Sequence, residues 1–196
     1  LGDVYKRQDM ESRNESRVSN FNEGRLPDSK AGVTSSGRAD EIRLLFVGDI
    51  VGKPGVDVTC KAIPVLREQH ELDLVVVNGE NAENGSGITK AIFNRLRDHG
   101  VDGVTLGDHI YRKREIIPIL ESDAPVIRPA NYPPEAPGRE WMTLITTSGV
   151  PFCVVSLIGR VFMKPADCPF HAADRIWSQL PDCLLYTSDA ADEVDG

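Results

Sequence analysis

Residues 104–110 read VTLGDHI, an apolar run that stops at a glycine and hands over at once to an acid and a histidine. The same grammar occurs twice upstream, in LLFVGDI (44–50) and LVVVNGEN (74–81). Continuous apolar runs of this length, closed by Gly-Asp or Asn-Gly rather than alternating with polar residues, indicate strands buried on both faces. Strands are therefore expected at IRLLFVGD (42–49), LDLVVVNGE (72–80) and VDGVTLGD (101–108). Helical patterns fill the gaps. PGVDVTCKAIPVLREQH (54–70) has apolar positions at Val58, Ala62, Val65 and Leu66, with Pro64 expected to kink the helix or shift its start. TKAIFNRLRDHG (89–100) has Thr89 near its start and Gly100 as C-cap, and RKREIIPIL (112–120) is a third helical stretch. Alternating strands and helices imply βαβ crossovers and a parallel sheet, the α/β class. WMTLITTS and VPFCVVSLIG, from Trp141 onward, read as an antiparallel hairpin completing that sheet.

Both ends of the chain look foreign. LGDVYKRQ (1–8) and CLLYTS (183–188) can be back-translated so that the second is the reverse complement of most of the first, as expected of translated sequencing adaptor. Residues 9–41 are rich in Ser, Asn, Arg and Glu without an apolar period, a composition too polar to offset chain entropy by burial. The expected organisation is an adaptor-derived and disordered tail over 1–41, one partial domain over 42–182, and an adaptor-derived tail over 183–196. Setting aside 1–8 and 183–196 removes Asp3, Lys6 and Arg7 at one end and Asp189, Asp192, Glu193 and Asp195 at the other. The formal charge thereby falls from −8 to −5. A mildly acidic chain has no electrostatic footprint for duplex nucleic acid, and no apolar run is long enough to span a membrane. Cys60, Cys153 and Cys168 are then odd in number and lack a CxxC pair, which fits a reducing cytoplasm better than a disulfide framework.

In a parallel sheet the carboxyl ends of the strands point the same way, and ligand sites form in the loops beyond them. Gly48-Asp49, Asn78-Gly79-Glu80-Asn81 and Gly107-Asp108-His109 should therefore converge on one rim. Three carboxylates brought together repel and raise one another's pKa values unless cations lie between them. Asp, Glu, an amide oxygen and a histidine suit manganese, iron or a related divalent metal, and two-metal centres are common devices for phosphate-ester hydrolysis. Each junction taken alone has a plainer reading. A Gly-Asp after a strand is usually a turn or cap, NGENAENGSG is not a P-loop because no Gly-Lys-Ser/Thr closes it, and His70 and His99 fall at helix ends where a cation is favourable. Cys168 reads as a small packed residue, and it is the recurrence at matched positions that carries weight.

LLFVGDIVGKPG, VVNGENAENGSGIT, LGDHIYRKREI, RPANYP and IGRVFMKPADCPF, collinear over residues 42 to about 180, resemble the YmdB-like branch of the calcineurin-type metallophosphoesterases. The resemblance implies a calcineurin-like metallophosphoesterase sandwich, truncated at the C-terminus. It also implies a phosphodiesterase or phosphatase with two divalent metal ions, iron or manganese, acting on small phosphate esters, characteristically 2′,3′-cyclic nucleotides. Carried across, Asp49 would hold the first metal, Glu80 would bridge both, Asn81 would support the first and Asp108 the second, with His109 as general acid or phosphate-stabilising residue. Arg128, Asn131 and Arg160 are candidates for substrate contact, although a structural arginine binding loop carbonyls is an equal reading for Arg128 and for Arg160, and a turn held by its side chain a slightly better one for Asn131. The family usually has Asn where this chain has Asp108, whose extra charge would weaken the Lewis acidity of the second metal. It also takes three further histidines from its C-terminal portion, and His171 does not match them, so the chain as it stands is expected to be inactive. A homo-oligomer is possible. The rival reading is a non-catalytic nucleotide- or protein-binding α/β domain with a degenerate metal site.

Overall fold

The computed structural model describes residues 42–163 and 165–180, together with the backbone of Leu184–Leu185. The expectation of a disordered tail over 1–41 lies outside the described residues, as does most of the C-terminal tail.

Three of the four strands of the main sheet are those that the apolar runs indicated. β1 (Leu44–Val47), β2 (Leu74–Asn78), β3 (Gly103–Thr105) and β4 (Val126–Ile127) pair in that order, all parallel. β2 is buried on both faces. Val75 and Val77 enter one apolar cluster, shared with Val56, Cys60 and Ile63 of α1 (Gly52–His70) and Phe93 and Leu96 of α2 (Lys90–Asp98). Leu74 and Val76 enter a second cluster on the opposite face. Burying side chains of this size contributes ~1.5–3 kcal/mol each. β1 differs from expectation, because it lies at the edge of the sheet and its four residues are only half-buried.

The second cluster is completed by Met142, Leu144, Phe152 and Val154. These come from β5 (Trp141–Ile145) and β6 (Pro151–Val155), the antiparallel hairpin that the sequence indicated. The hairpin does not complete the parallel sheet. It builds a separate sheet with β7 (Leu184–Leu185), stacked on the first through that cluster. The result is helices, parallel sheet, second sheet: an α/β sandwich. β7 falls within the segment 183–196 set aside as adaptor, and its two residues run parallel to β6. Cys153, in β6, is disulfide-bonded, so the odd cysteine count, reached by setting Cys183 aside, does not make every thiol free. Cys60 and Cys168 are free.

Helix boundaries show local differences. α1 runs unbroken from Gly52 across Pro64 to His70, so the proline neither shifts the start nor ends the helix; it removes only the N–H that would have bonded Cys60. α2 starts where Thr89 Oγ1 accepts from Ile92 N at 3.2 Å. Its C-cap is His99 rather than Gly100, which follows at φ 93°. The stretch 112–120 forms a 3-10 turn at Arg114–Ile116 and the short α3 (Ile117–Leu120), with Pro118 in its first turn. α4 spans Pro169–Trp177 and carries the exposed His171. No helix among the described residues is long and apolar enough to cross a membrane.

Candidate metal and phosphoester site

The three strand ends are tied to one another by main-chain hydrogen bonds beyond the ladder. Ile50 N donates to Asn78 O at 3.0 Å and Gly52 N to Asn81 O at 2.9 Å, which pins the loop after β1 to the loop after β2. Gly79 N donates to Thr105 O at 3.1 Å, which pins the latter to the end of β3. Asp49 is held at φ 28°, in the left-handed region that costs a non-glycine residue ~1–3 kcal/mol and is found where surrounding structure enforces it.

A chain of side-chain bonds crosses the rim. Asn81 Nδ2 donates to Asp49 Oδ1 at 2.7 Å, and His109 Nδ1 lies 2.6 Å from Asn81 Oδ1. A carboxylate only accepts, so Asp49 fixes the amide with its nitrogen outward; the amide oxygen also only accepts, so Nδ1 of His109 carries the hydrogen. Nε2 is then left facing Asp108, 3.7 Å from Oδ2.

Glu80 sits at the centre. Its carboxylate rests on the bare Cα of Gly107, where an added Cβ would collide with it. Oε2 is buried without a hydrogen-bond partner. Burial, then the charges of Asp108 and Asp49, push the Glu80 carboxyl above its ordinary value. The expected convergence of Asp49, Glu80, Asn81, Asp108 and His109 is thus visible in the structure.

Two of the substrate-contact expectations need correction. Arg128 is 2% exposed. Its guanidinium donates to the carbonyls of Gly138, Pro129 and Tyr132 and, through Nη2, to Glu140 at 3.0 Å. Four of its five N–H donors are taken inside the loop and the side chain is closed off from solvent, so the residue braces a loop rather than meeting a phosphate. Asn131 is fully buried, with Nδ2 donating to the carbonyls of Ile158 and Asp167 and Oδ1 accepting from Ile158 N. It holds a turn. Arg160 is exposed and has no hydrogen-bond or ion-pair partner among the described residues.

The sequence reading missed the neighbouring cleft, about 370 Å³ in volume and lined by Asp108, Tyr111, Arg112 and Tyr132 among others. The rings of Tyr111 and Tyr132 stack with centroids 6.2 Å apart. Tyr111 Oη donates to Pro137 O at 2.6 Å, and the Tyr132 phenol is pushed up to about 12 by burial, then by the charge of Asp108. The signal was present in HIY and NYP, aromatics just beyond two strand ends.

This arrangement of motifs is shared with known proteins. A model of the YmdB-like protein family matches residues 45–190. The chain belongs to that family. A 2′,3′-cyclic-nucleotide 2′-phosphodiesterase of Bacillus subtilis (strain 168) is 37% identical over 135 residues, 69% of this chain and 51% of the relative. Among solved structures, a hypothetical protein from Thermus thermophilus is 40% identical with a TM-score of 0.67, covering 71% of this chain and 54% of that one. A structure described as a novel phosphatase, from Mycoplasma pneumoniae, is 22% identical with a TM-score of 0.65, over 71% of this chain and 52% of its own, and supports the calcineurin-like sandwich alone. The chain spans about half the length of these relatives.

The donor types suit a divalent cation: an orphaned buried carboxylate oxygen, two further carboxylates close enough to perturb it, and an amide oxygen with a second lone pair. Among the described residues no three His, Cys, Asp or Glu side chains form a metal-holding group. Asp49, Asn81 and His109 instead bond one another, so holding a cation requires these side chains to turn toward Glu80.

Proposed function

We propose that the full-length protein is a metal-dependent phosphodiesterase or phosphatase acting on small phosphate esters, with 2′,3′-cyclic nucleotides as the preferred class. The reading is carried by Glu80 Oε2, a buried acceptor with no donor, flanked by two more acids at neighbouring strand ends. A buried polar atom without a partner costs ~1–3 kcal/mol, and a cation removes that cost.

Asp49, Glu80, Asn81 and Asp108 are the residues that would hold two divalent ions, iron or manganese, with Glu80 shared between them. Bound there, such ions supply a water made acidic enough to act as hydroxide near neutral pH. As the imidazolium, with both ring nitrogens protonated, His109 would deliver the Nε2 proton to the departing ribose oxygen, or stabilise charge on the phosphoryl group. Asp49 acts on His109 only through Asn81, as a positioning residue. Arg160, exposed beyond β6, is the remaining candidate for phosphate contact.

Metal analysis and turnover of full-length protein test this. About two manganese or iron ions per chain are expected, with hydrolysis of 2′,3′-cyclic AMP and of bis-p-nitrophenyl phosphate. Reconstituted full-length protein that takes up metal yet turns over neither ester overturns the reading in favour of a binding module, with Asp108 marking lost chemistry.

A further inference from the structure

The cleft beside Asp108 has a composition that metal and phosphate do not explain. Its lining joins Asp108 of the acidic rim to the stacked pair Tyr111 and Tyr132, to Pro133 and Ala136, and to Arg112. Arg112 is exposed and has no ion pair or side-chain hydrogen bond among the described residues, so its guanidinium is uncommitted. Its main chain is fixed: Arg112 N donates to His109 O at 3.0 Å, so it lies one turn beyond the imidazole. Gly87, at φ 83°, packs so tightly against Arg112 and Lys113 that an added Cβ would come within 3.0 Å of Arg112 Cβ. The loop after β2 thus fixes where Arg112 leaves the chain.

We propose that this cleft receives the nucleobase of the substrate, with the tyrosine wall and Arg112 as the specificity-determining residues. This rests on the phosphoester reading above. A volume of about 370 Å³ falls within the range of ligand clefts, ~300–1,000 Å³, and suits one nucleoside rather than an oligonucleotide. A base is a flat, weakly polar plate. Aromatic and proline faces cover it without demanding a hydrogen-bond pattern, and a guanidinium stacks on it or meets its ring edge. The phosphate of the same molecule would point to Asp108 and His109, so one ligand would join the cleft to the rim. A wall of this kind accepts any base and discriminates against esters that lack one.

Adenosine tests the subsite without phosphate, metal or turnover. Titration of this chain with adenosine, followed by calorimetry or by NMR of the tyrosine rings, is expected to show saturable binding, with ribose showing none. R112A should weaken binding about 10-fold, the scale of a partly exposed stacking contact, and A136F, which fills the cleft, should abolish it. Both variants are expected to keep the far-ultraviolet spectrum and melting temperature of the parent chain. Equal binding of adenosine and ribose, absence of adenosine binding to the parent chain, or undiminished binding in folded A136F overturns the proposal. Hydrolysis of bis-p-nitrophenyl phosphate by the full-length protein reports on the reaction alone, so either reading can fail while the other stands.

Discussion

Glu80 and Glu140 are both largely shielded glutamates in loops around the parallel sheet, and their surroundings are opposite. Glu80 has two acids for neighbours and an oxygen without a partner. Glu140 lies between two cations, with Oε1 3.0 Å from Arg128 Nη2 and Oε2 2.6 Å from Arg175 Nη1. Burial raises the carboxyl of Glu140, but the bonds and charges of Arg175 and Arg128 outweigh it and leave the group below its ordinary value; nothing comparable offsets burial at Glu80. The lesson is that a buried carboxylate held between two arginines is architecture, whereas one pressed among further acids with an oxygen unpartnered is suited to a cation.

The largest effect expected from this contrast is at Arg128. Replacing it with methionine leaves Glu140 without its buried partner and should destabilise the chain by about 3–5 kcal/mol, read by chemical denaturation. Preserved stability would mean that Glu140 is held by Arg175 alone. At Glu80 the sign reverses. E80Q should weaken metal binding of the full-length protein about 100-fold or more, yet stabilise the metal-free chain by roughly 1 kcal/mol, because a buried charge disappears. Loss of stability in metal-free E80Q would show that the carboxylate is satisfied and the contrast mistaken. Next is G107A, whose new Cβ displaces the Glu80 carboxylate; overpacking of this kind costs ~1–3 kcal/mol, and the double variant G107A/E80A should recover part of it.

The smallest and most diagnostic effect is with pH. Glu140 has a lowered folded value, so its contribution to stability is present above the ordinary carboxylate range and is lost as pH falls through the lowered value. Glu80 has a raised one, so its contribution is present below the ordinary value and is lost as pH rises through the raised value. Thermal melts of the metal-free chain between about pH 3 and 8 should show both slopes. E140Q is expected to flatten the acid side and E80Q the side above it; unchanged curves in both would remove the electrostatic basis of the contrast.

What the sequence made legible follows the same division. Buried strands announce themselves because two buried faces demand continuous apolar residues, as Leu74 to Val77 show by sending alternate side chains into two clusters. β4 is only Val126–Ile127, too short for any period, and exists because Val104 and Thr105 offer it a partner. The hairpin's alternation was readable, but its sheet was not, since the same pattern serves either a sheet edge or a stacked layer. The converging acids at 49, 80 and 108 were legible because glycines mark each strand end. For Arg128, phosphate contact and a loop brace stood level, because its acceptors are mostly carbonyl oxygens, which carry no residue signature. Tyr111 and Tyr132 were overlooked for a related reason: an aromatic beyond a strand end resembles ordinary core until its ring is seen lining open space.

Gly107 offers a lesson for anyone wishing to transplant this constellation. Because the carboxylate of Glu80 rests on main chain rather than on a neighbouring side chain, its depth is set by the sheet itself and not by any rotamer. A host scaffold could carry faithful copies of all three acids and the histidine and still misplace the central one by an atom's width, unless the turn just past its third strand also offers a residue with no side chain.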